Sequence, residues 1–399
     1  MKVLVIAPDF YPTNGGYANA TSNFVEELSK KGVDIRVFTP TALGQFEELN
    51  VPGIFCTRYT MKKLFLAAGV WEVASYFKIL NIIKKEKIDC VLFETAEFGL
   101  LGYLLLRSFK NVLVRIHACT ETEVAVWGKS FYVRYRSFFT RIFFKRVKWI
   151  LSTNNYHIQF YKKYFLKDDI YEIAKRKYFV VPNIVYQSDI KVNKEELLHR
   201  YSGEIFGNRK LFFTLGRLNS VGLIQKGMED LLYAVVLLKR ELGEIALKEV
   251  RIFVVGDGEH KLYIREFASR MGIGEYLIFL DKVEHKDILE FLKISDGTIL
   301  LSRFEGLSMF ALEALAQGSP LLFSRSGGLN DLIINGKNGF LVEPQNLESI
   351  KNHLETLIKM RPEDVDKMKI ESSKLYNERF LPSDIAEKFK TILKLVVNS

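Results

Sequence analysis

Two glutamates, Glu305 and Glu313, stand seven residues apart in the segment FEGLSMFALEALAQGSPLLFSRSGG, residues 304–328. Carboxylates accept hydrogen bonds from sugar hydroxyls, and free amide N–H groups at a helix N-terminus donate to phosphate. One carboxylate before a helix and a second about two turns inside it therefore suit a ligand that carries both groups. Placing them takes a strand, a turn and a helix, and the residues supply all three. A strand-like run over Gly297–Leu301 leads to a turn at Glu305-Gly306. A helix-like run over Leu307–Ala316 stops at Gly318-Ser319-Pro320, where glycine caps and proline cannot continue. The spacing alone equally fits an ordinary helix start, with one acid near the positive dipole end and one in water.

Further residues with chemical potential also fall at strand ends. Strand Lys210–Leu215 ends in Gly216-Arg217, and Lys226-Gly227 precedes the next helix. Two such cations can neutralise a diphosphate, arginine as a planar fork and lysine as a point charge; solvated loop cations are the plainer alternative. Glycine turns recur at Val255-Gly256-Asp257-Gly258 and at Ser326-Gly327-Gly328. In the first half, the loop DFYPTNGGYANA (9–20) carries Gly15-Gly16, which let backbone approach a phosphate or sugar, or simply turn. It is neither a dinucleotide fingerprint nor a P-loop. His117 closes the strand Val112–His117, placed either to donate to a substrate or leaving group or to serve as a buried structural residue. Glu94 and Glu97, after the preceding strand, suit acceptor hydroxyls or water. No His, Asp or Glu group has zinc-ligand spacing.

Short β-rich runs alternating with helical stretches predict an α/β chain with parallel sheets. The first half supplies strands at Lys2–Ala7, Asp34–Thr39, Cys90–Glu94, Val112–His117, Trp149–Ser152 and Tyr178–Val181. The second supplies Lys210–Leu215, Arg251–Val255, Leu277–Leu280, Thr298–Leu301 and Pro320–Phe323. The polar stretch Gln187–Arg209 between them reads as a linker. Pro382–Val397 reads as a terminal helix with Ile385, Phe389, Ile392 and Val396 on one stripe. At 399 residues two domains are expected, and open parallel sheets bind ligands outside the carboxyl ends of their strands. Two such domains facing each other would make a cleft walled by those ends.

Apolar and charged fractions of 48% and 26% are those of a globular protein in water. Three scattered cysteines point to a reducing compartment rather than a disulfide framework. The opening apolar run is broken by Asp9 and Pro12 and reads as a first strand, not a signal peptide. Leu64–Ile83 is interrupted by Glu72 and Lys78 and reads as a mostly buried helix, so no membrane span is expected. The net charge of +10 is one-sided: residues 1–185 carry 27 Lys and Arg against 16 Asp and Glu, residues 186–399 30 against 31. Such a surface attracts anionic lipid, nucleic acid or phosphorylated substrates. In FYVRYRSFFTRIFFKRVKW (131–149), a helical wheel puts Arg134, Arg141, Lys145 and Lys148 on one side and Phe131, Tyr135, Phe138 and Ile142 on another. That fits a core helix with a solvated basic face, or a surface resting on anionic headgroups.

In this order the elements resemble the retaining glycosyltransferases of sequence family 4, which have the two-domain GT-B fold. The resemblance rests on Gly216-Arg217…Lys226-Gly227, Val255-Gly256-Asp257-Gly258, Glu305…Glu313, Gly318-Ser319-Pro320, Gly327-Gly328 and Asn338-Gly339-Phe340-Leu341-Val342. It spans nearly the whole chain and is strongest over Leu211–Glu343. It implies two Rossmann-like domains facing a central cleft: an acceptor-binding domain over 1–186, a linker over 187–209, and a donor-binding domain over 210–381. Helix 382–399 would cross back to the first domain.

By the same resemblance, Arg217 and Lys226 bind the donor diphosphate and stabilise the leaving nucleotide. Glu305 holds hydroxyls of the donor sugar, the backbone of Gly306, Leu307 and Ser308 lies near the phosphate, and Glu313 accepts from the ribose. Gly216, Gly256 and Val283 complete the donor side. The Gly15-Gly16 loop closes over the phosphates and His117 contacts the donor sugar; apart from the resemblance, Glu94, Glu97 and Tyr17 are the candidates for the acceptor. This sequence departs from the pattern in three places: eight residues separate Arg217 from Lys226, Asp281 stands where a glycine is frequent, and Ile184-Val185-Tyr186 follows Pro182-Asn183.

The expected activity is retaining, metal-independent hexosyl transfer from a nucleoside-diphosphate sugar, UDP favoured over GDP, to a hydroxyl of a glycan or lipid-linked glycan. Bacterial surface polysaccharide or glycoconjugate synthesis is the expected setting. No cofactor and no nucleic acid are expected, and the location is cytoplasmic, peripheral at the inner face of the membrane through Arg134, Arg141, Lys145 and Lys148. A nucleotide-sugar epimerase of the same fold would consume donor alone. A non-catalytic subunit would bind donor without turnover.

Overall fold

The computed structural model describes residues 1–8, 10, 15–41, 54–60, 67–95, 98–117, 131–189, 191–203 and 207–399; for 40–41, 54–60, 67–70, 131–136 and 245–246 it is the backbone that is described. Glu97 lies outside the described residues, as does the side chain of Arg134. The chain divides into two compact units, Met1–Ile184 with Pro382–Ser399, and Val185–Leu381.

The first unit holds seven strands: β1 Lys2–Ile6, β2 Asp34–Thr41, β3 Ile54–Thr60, β4 Cys90–Phe93, β5 Val112–Ile116, β6 Trp149–Ser152 and β7 Lys177–Val180. They form one parallel sheet in the order β3-β2-β1-β4-β5-β6-β7. β4 and β5 are buried at every residue, which is why they read as unbroken apolar runs: helices cover both faces of a parallel sheet. Ile6 pairs with Phe93, so the loop after β1 and Glu94 leave adjacent strands at the same edge. The strand order reverses between β1 and β4, the switch point where open sheets take ligands. The terminal helix Pro382–Val397 buries Ile385, Phe389, Ile392 and Val396 in this unit, and the Phe389 ring packs tilted against Phe24, centroids 4.6 Å apart.

The second unit repeats the plan with β8 Lys210–Leu215, β9 Val250–Val255, β10 Leu277–Leu280, β11 Gly297–Leu300, β12 Leu321–Ser324 and β13 Gly339–Val342. Their order is β10-β9-β8-β11-β12-β13, all parallel, with the reversal between β8 and β11.

The structure adds elements to those expected. β3 and β13 are strands beyond those the sequence pattern predicts. Residues 187–209, expected as a linker, fold with the second unit from Val185 onward and carry a helix, Lys194–Ser202. Polar composition hid that helix. Asn193 caps it by accepting from Glu196 N at 3.3 Å, Leu197 and Leu198 are buried, and Arg200 reaches Asp287 at 3.0 Å.

The basic segment also turns differently from its wheel. Helix Phe131–Phe144 buries Phe143 and Phe144, while Phe138, expected on the packed side, is 60% exposed. Helix Gly99–Ser108 sets this facing: a Cβ on Gly99 would lie 2.3 Å from Thr140 N, and one on Gly102 2.7 Å from the Phe143 ring. Glycine there lets the two backbones touch. Helix Ala67–Glu86 buries Trp71 and Ile79 and exposes Phe77. Among the described residues no helix is long and apolar enough to cross a membrane.

Candidate functional site

At the second unit's switch point, β8 runs into Gly216 and Arg217. Gly216 N donates to Val255 O at 3.0 Å, and Leu218 N to Asp257 O at 2.9 Å. This ties the β8 and β9 turns so tightly that a Cβ on Gly256 would sit 1.9 Å from Gly216 O. Helix Ser220–Lys226, capped by Asn219 through Gly222 N at 2.7 Å, then delivers Lys226. Gly227 follows in the left-handed region with φ of 61°, and its missing Cβ is required because Leu301 O would be 2.1 Å away.

Lys226 is thereby pressed against the end of β11. Its Nζ lies 2.6 Å from Glu305 Oε2, which also accepts from Ser302 Oγ at 3.0 Å. Glu305 itself keeps 11% of its side chain exposed. Arg217 is exposed and donates to Gln225 Oε1 at 3.2 Å, while Gln225 Nε2 donates to Phe304 O at 3.2 Å. Arg217, Lys226 and Glu305 thus gather around one turn. The turn is locked from the far side: Gly328 N donates to Gly306 O at 2.8 Å, and a Cβ on Gly327, at φ of 52°, would lie 1.8 Å from Glu305 O.

Ser308 caps helix Met309–Ala316 by accepting from Ala311 N at 3.4 Å, so the helix starts two residues after Leu307, which is buried. Glu313, inside it, is not in water. It is buried and its Oε1 lies 2.8 Å from His285 Nε2. That hydrogen bond raises His285 above the ordinary histidine value, against a smaller opposing effect of burial. Val283, buried, lies two residues before His285. His285 escaped the sequence reading, where only its place after the Lys282-Val283 turn marked it.

The first unit's switch point is built otherwise. Glu94, expected to face acceptor or water, is fully buried: its Oε2 accepts from Arg115 Nη1 at 3.1 Å and lies 2.6 Å from His117 Nε2. Burial pushes its carboxyl up, but the Arg115 charge and the His117 hydrogen bond outweigh this and hold it below the usual glutamate value. Burial, with the charge of Arg115, pushes His117 below the ordinary histidine value, against the raising effect of Glu94. Arg115 also donates to Pro182 O at 2.9 Å and Asn183 Oδ1 at 3.1 Å, and its guanidinium lies 4.1 Å over the Phe24 ring. The sequence reading missed Arg115, although an arginine inside the apolar strand VLVRI is a signal of pairing. Tyr17 donates its hydroxyl to Glu94 O at 2.5 Å, and its ring packs tilted against His117, centroids 4.7 Å apart. Gly15 stands at the N-cap of helix Gly16–Lys30, which has no side-chain cap. Among the described residues no three His, Cys, Asp or Glu side chains gather as a metal would need.

Models of two families match, "Glycosyltransferase Family 4" over residues 14–185 and "Glycosyl transferases group 1" over 197–374. An uncharacterized glycosyltransferase of Haemophilus influenzae is 30% identical over 409 residues, covering 95% of this chain and 96% of that one. The chain belongs to the family 4 glycosyltransferases. Its fold is that of solved GT-B structures. Sucrose-phosphate synthase from Thermosynechococcus elongatus has a TM-score of 0.77 at 16% identity, covering 99% of this chain and 98% of that one. Anabaena HepE in complex with UDP and glucose has a TM-score of 0.73 at 16% identity, covering 99% of each. As a family 4 glycosyltransferase the chain is an enzyme of that class.

Proposed function

We propose that this glycosyltransferase moves a hexose from a nucleoside-diphosphate sugar to a hydroxyl of a glycan or lipid-linked glycan, with retention and without a metal. The observation that carries the reading is the gathering of Arg217, Lys226 and Glu305 around one turn at the β8–β11 switch point. Departure of a nucleoside diphosphate builds negative charge on the bridging phosphate. Two cations held in advance of the reaction lower that barrier without reorganising. In this reading Arg217 forks onto the diphosphate, Lys226 neutralises it and orients Glu305 toward sugar hydroxyls, and Glu313, aligned by His285, accepts from the ribose. The Gly306–Ser308 backbone donates to phosphate. With Glu305 engaged by Lys226 and Ser302, the acceptor attacks the face from which the leaving group departs, and the departing phosphate takes the acceptor proton. HepE holding UDP and glucose in the same fold supports a UDP-sugar donor.

Arg217→Ala is expected to lower both transfer and donor hydrolysis by about 100-fold or more. Near-normal turnover would overturn the diphosphate assignment.

A bacterial surface glycoconjugate as acceptor would place the enzyme at the inner face of the membrane. Arg141, Lys145 and Lys148 are exposed beside Phe138, the combination that rests on anionic headgroups. The double variant Arg141→Glu, Lys148→Glu should weaken binding to phosphatidylglycerol vesicles, and unchanged binding rejects this surface.

A further inference from the structure

We propose that the groove between helix Pro362–Arg379 and the end of helix Met309–Ala316 is a second ligand site, one for a small phosphorylated molecule held by Lys293, Lys369 and Lys374. It lies wholly within the second unit and offers about 690 Å³, the room a metabolite takes rather than a lone ion. Gln317 and Gly318, both buried, belong to its lining. This wall is fixed before any ligand arrives. Gln317 accepts from Ser188 N at 3.2 Å and donates to Tyr186 O at 3.2 Å, and Lys293 donates to Ser188 O at 3.0 Å. Gly318, at φ of 74°, makes room for the long helix, since a Cβ there would lie 2.7 Å from Ser373 Oγ.

The lysines are not needed to close the helix end. Gln317 N already donates to Glu313 O, Gly318 N to Leu315 O and Ser319 N to Ala314 O. Nor do ion pairs account for them. Among the described residues neither Lys369 nor Lys374 has a hydrogen-bond or ion-pair partner, and Glu378, the carboxylate of the lining, meets neither. Lys369 is half-buried. Burial pushes its amine below the ordinary lysine value, and the charges of Lys194 and Lys210 add to this against the opposing charges of Asp296 and Asp366. An ammonium withdrawn from water beside like charges, with no partner, costs stability, and an anion removes that cost. Phosphate brings about two negative charges near neutral pH, where a single carboxylate brings one. Ser373 and Asn377 offer a hydroxyl and an amide to the rest of the molecule. The site stands independently of the donor reading above, which places its diphosphate on Arg217 and Lys226.

The test labels the lysines of the full chain with acetic anhydride, reads each by peptide mass spectrometry, and uses inorganic pyrophosphate as the probe. Millimolar pyrophosphate is expected to slow labelling of Lys369 about fivefold or more. The exposed Lys337 of the same unit serves as the control. Unchanged labelling of Lys369, or equal slowing at Lys337, overturns the site. Lys226 reports the donor site in the same digest. In Arg217→Ala the protection of Lys369 is expected to persist whatever happens at Lys226, so the two readings fail separately; its loss there overturns a second site. Citrate, an anion built from carboxylates, should protect Lys369 less than pyrophosphate does, and equal or better protection overturns the phosphate assignment. Lys369→Met keeps the stem without the charge and should raise the melting temperature of the ligand-free protein by about 1–3 °C. A fall would make Lys369 a structural residue and overturn the proposal.

Discussion

Each unit carries an arginine near its switch point, Arg115 within β5 beside β4 and Arg217 just after β8, and the two are treated in opposite ways. Arg115 is sealed inside the first unit, where it donates to Glu94 Oε2, Pro182 O and Asn183 Oδ1, and Glu94 beside it is equally buried. Arg217 is exposed in the second, where among the described residues its side chain donates to the neutral Gln225. A buried ion pair holds geometry and resists rearrangement, because separating it leaves an uncompensated charge. An exposed cation next to a glycine turn keeps its donors available for an anion that comes and goes. The same fold has therefore made one switch point rigid and the other receptive.

Removing one cation from each side should separate stability from turnover. Lys226→Met is expected to lower turnover by about 100- to 1,000-fold with little change in denaturation midpoint. Arg115→Met should cost about 3–5 kcal/mol of unfolding free energy, read by urea titration. A loss below about 1 kcal/mol would mean that the first switch point is not held by its ion pair. Gly327→Ala probes the lock behind Glu305. With φ at 52° and Glu305 O in the way of a Cβ, it should displace the turn and reduce turnover about tenfold or more while Arg217 and Lys226 remain. Unchanged activity would show that the turn tolerates movement.

The smallest effect concerns the ribose side. Because Glu313 raises His285, their pairing stabilises the fold fully below the ordinary histidine value of 6.5 and is lost as pH climbs through the higher folded value. His285 is half exposed, so the contribution is a few tenths of a kcal/mol. His285→Gln should flatten that slope in melting temperature above pH 6.5; a slope that persists assigns it to another group.

The receptive switch point was largely legible in the sequence, and the rigid one was not. Arg217, Lys226, Glu305 and Glu313 announce themselves through local signals: strand ends, glycine turns and a helix stopped by Gly318 and Pro320. The Glu94–Arg115–His117 cluster spans two neighbouring strands, and only the register of β4 beside β5 brings its members together. From the sequence Glu94 read as a candidate for acceptor hydroxyls or water, and nothing local marked it as the buried partner of Arg115. Arg115 was hidden by the apolar strand that surrounds it. The helix Lys194–Ser202 and the facing of Phe138 failed for a related reason, since each is decided by what the segment packs against rather than by its own period.

The terminal helix carries one last implication. Its Phe389 completes the core around Phe24, yet it is made after the whole of the second unit. During synthesis the first unit waits, its helix Gly16–Lys30 uncovered, while some two hundred later residues leave the ribosome and fold as an insertion. Loss of the final residues by truncation or proteolysis would therefore injure the beginning of the protein, not its end.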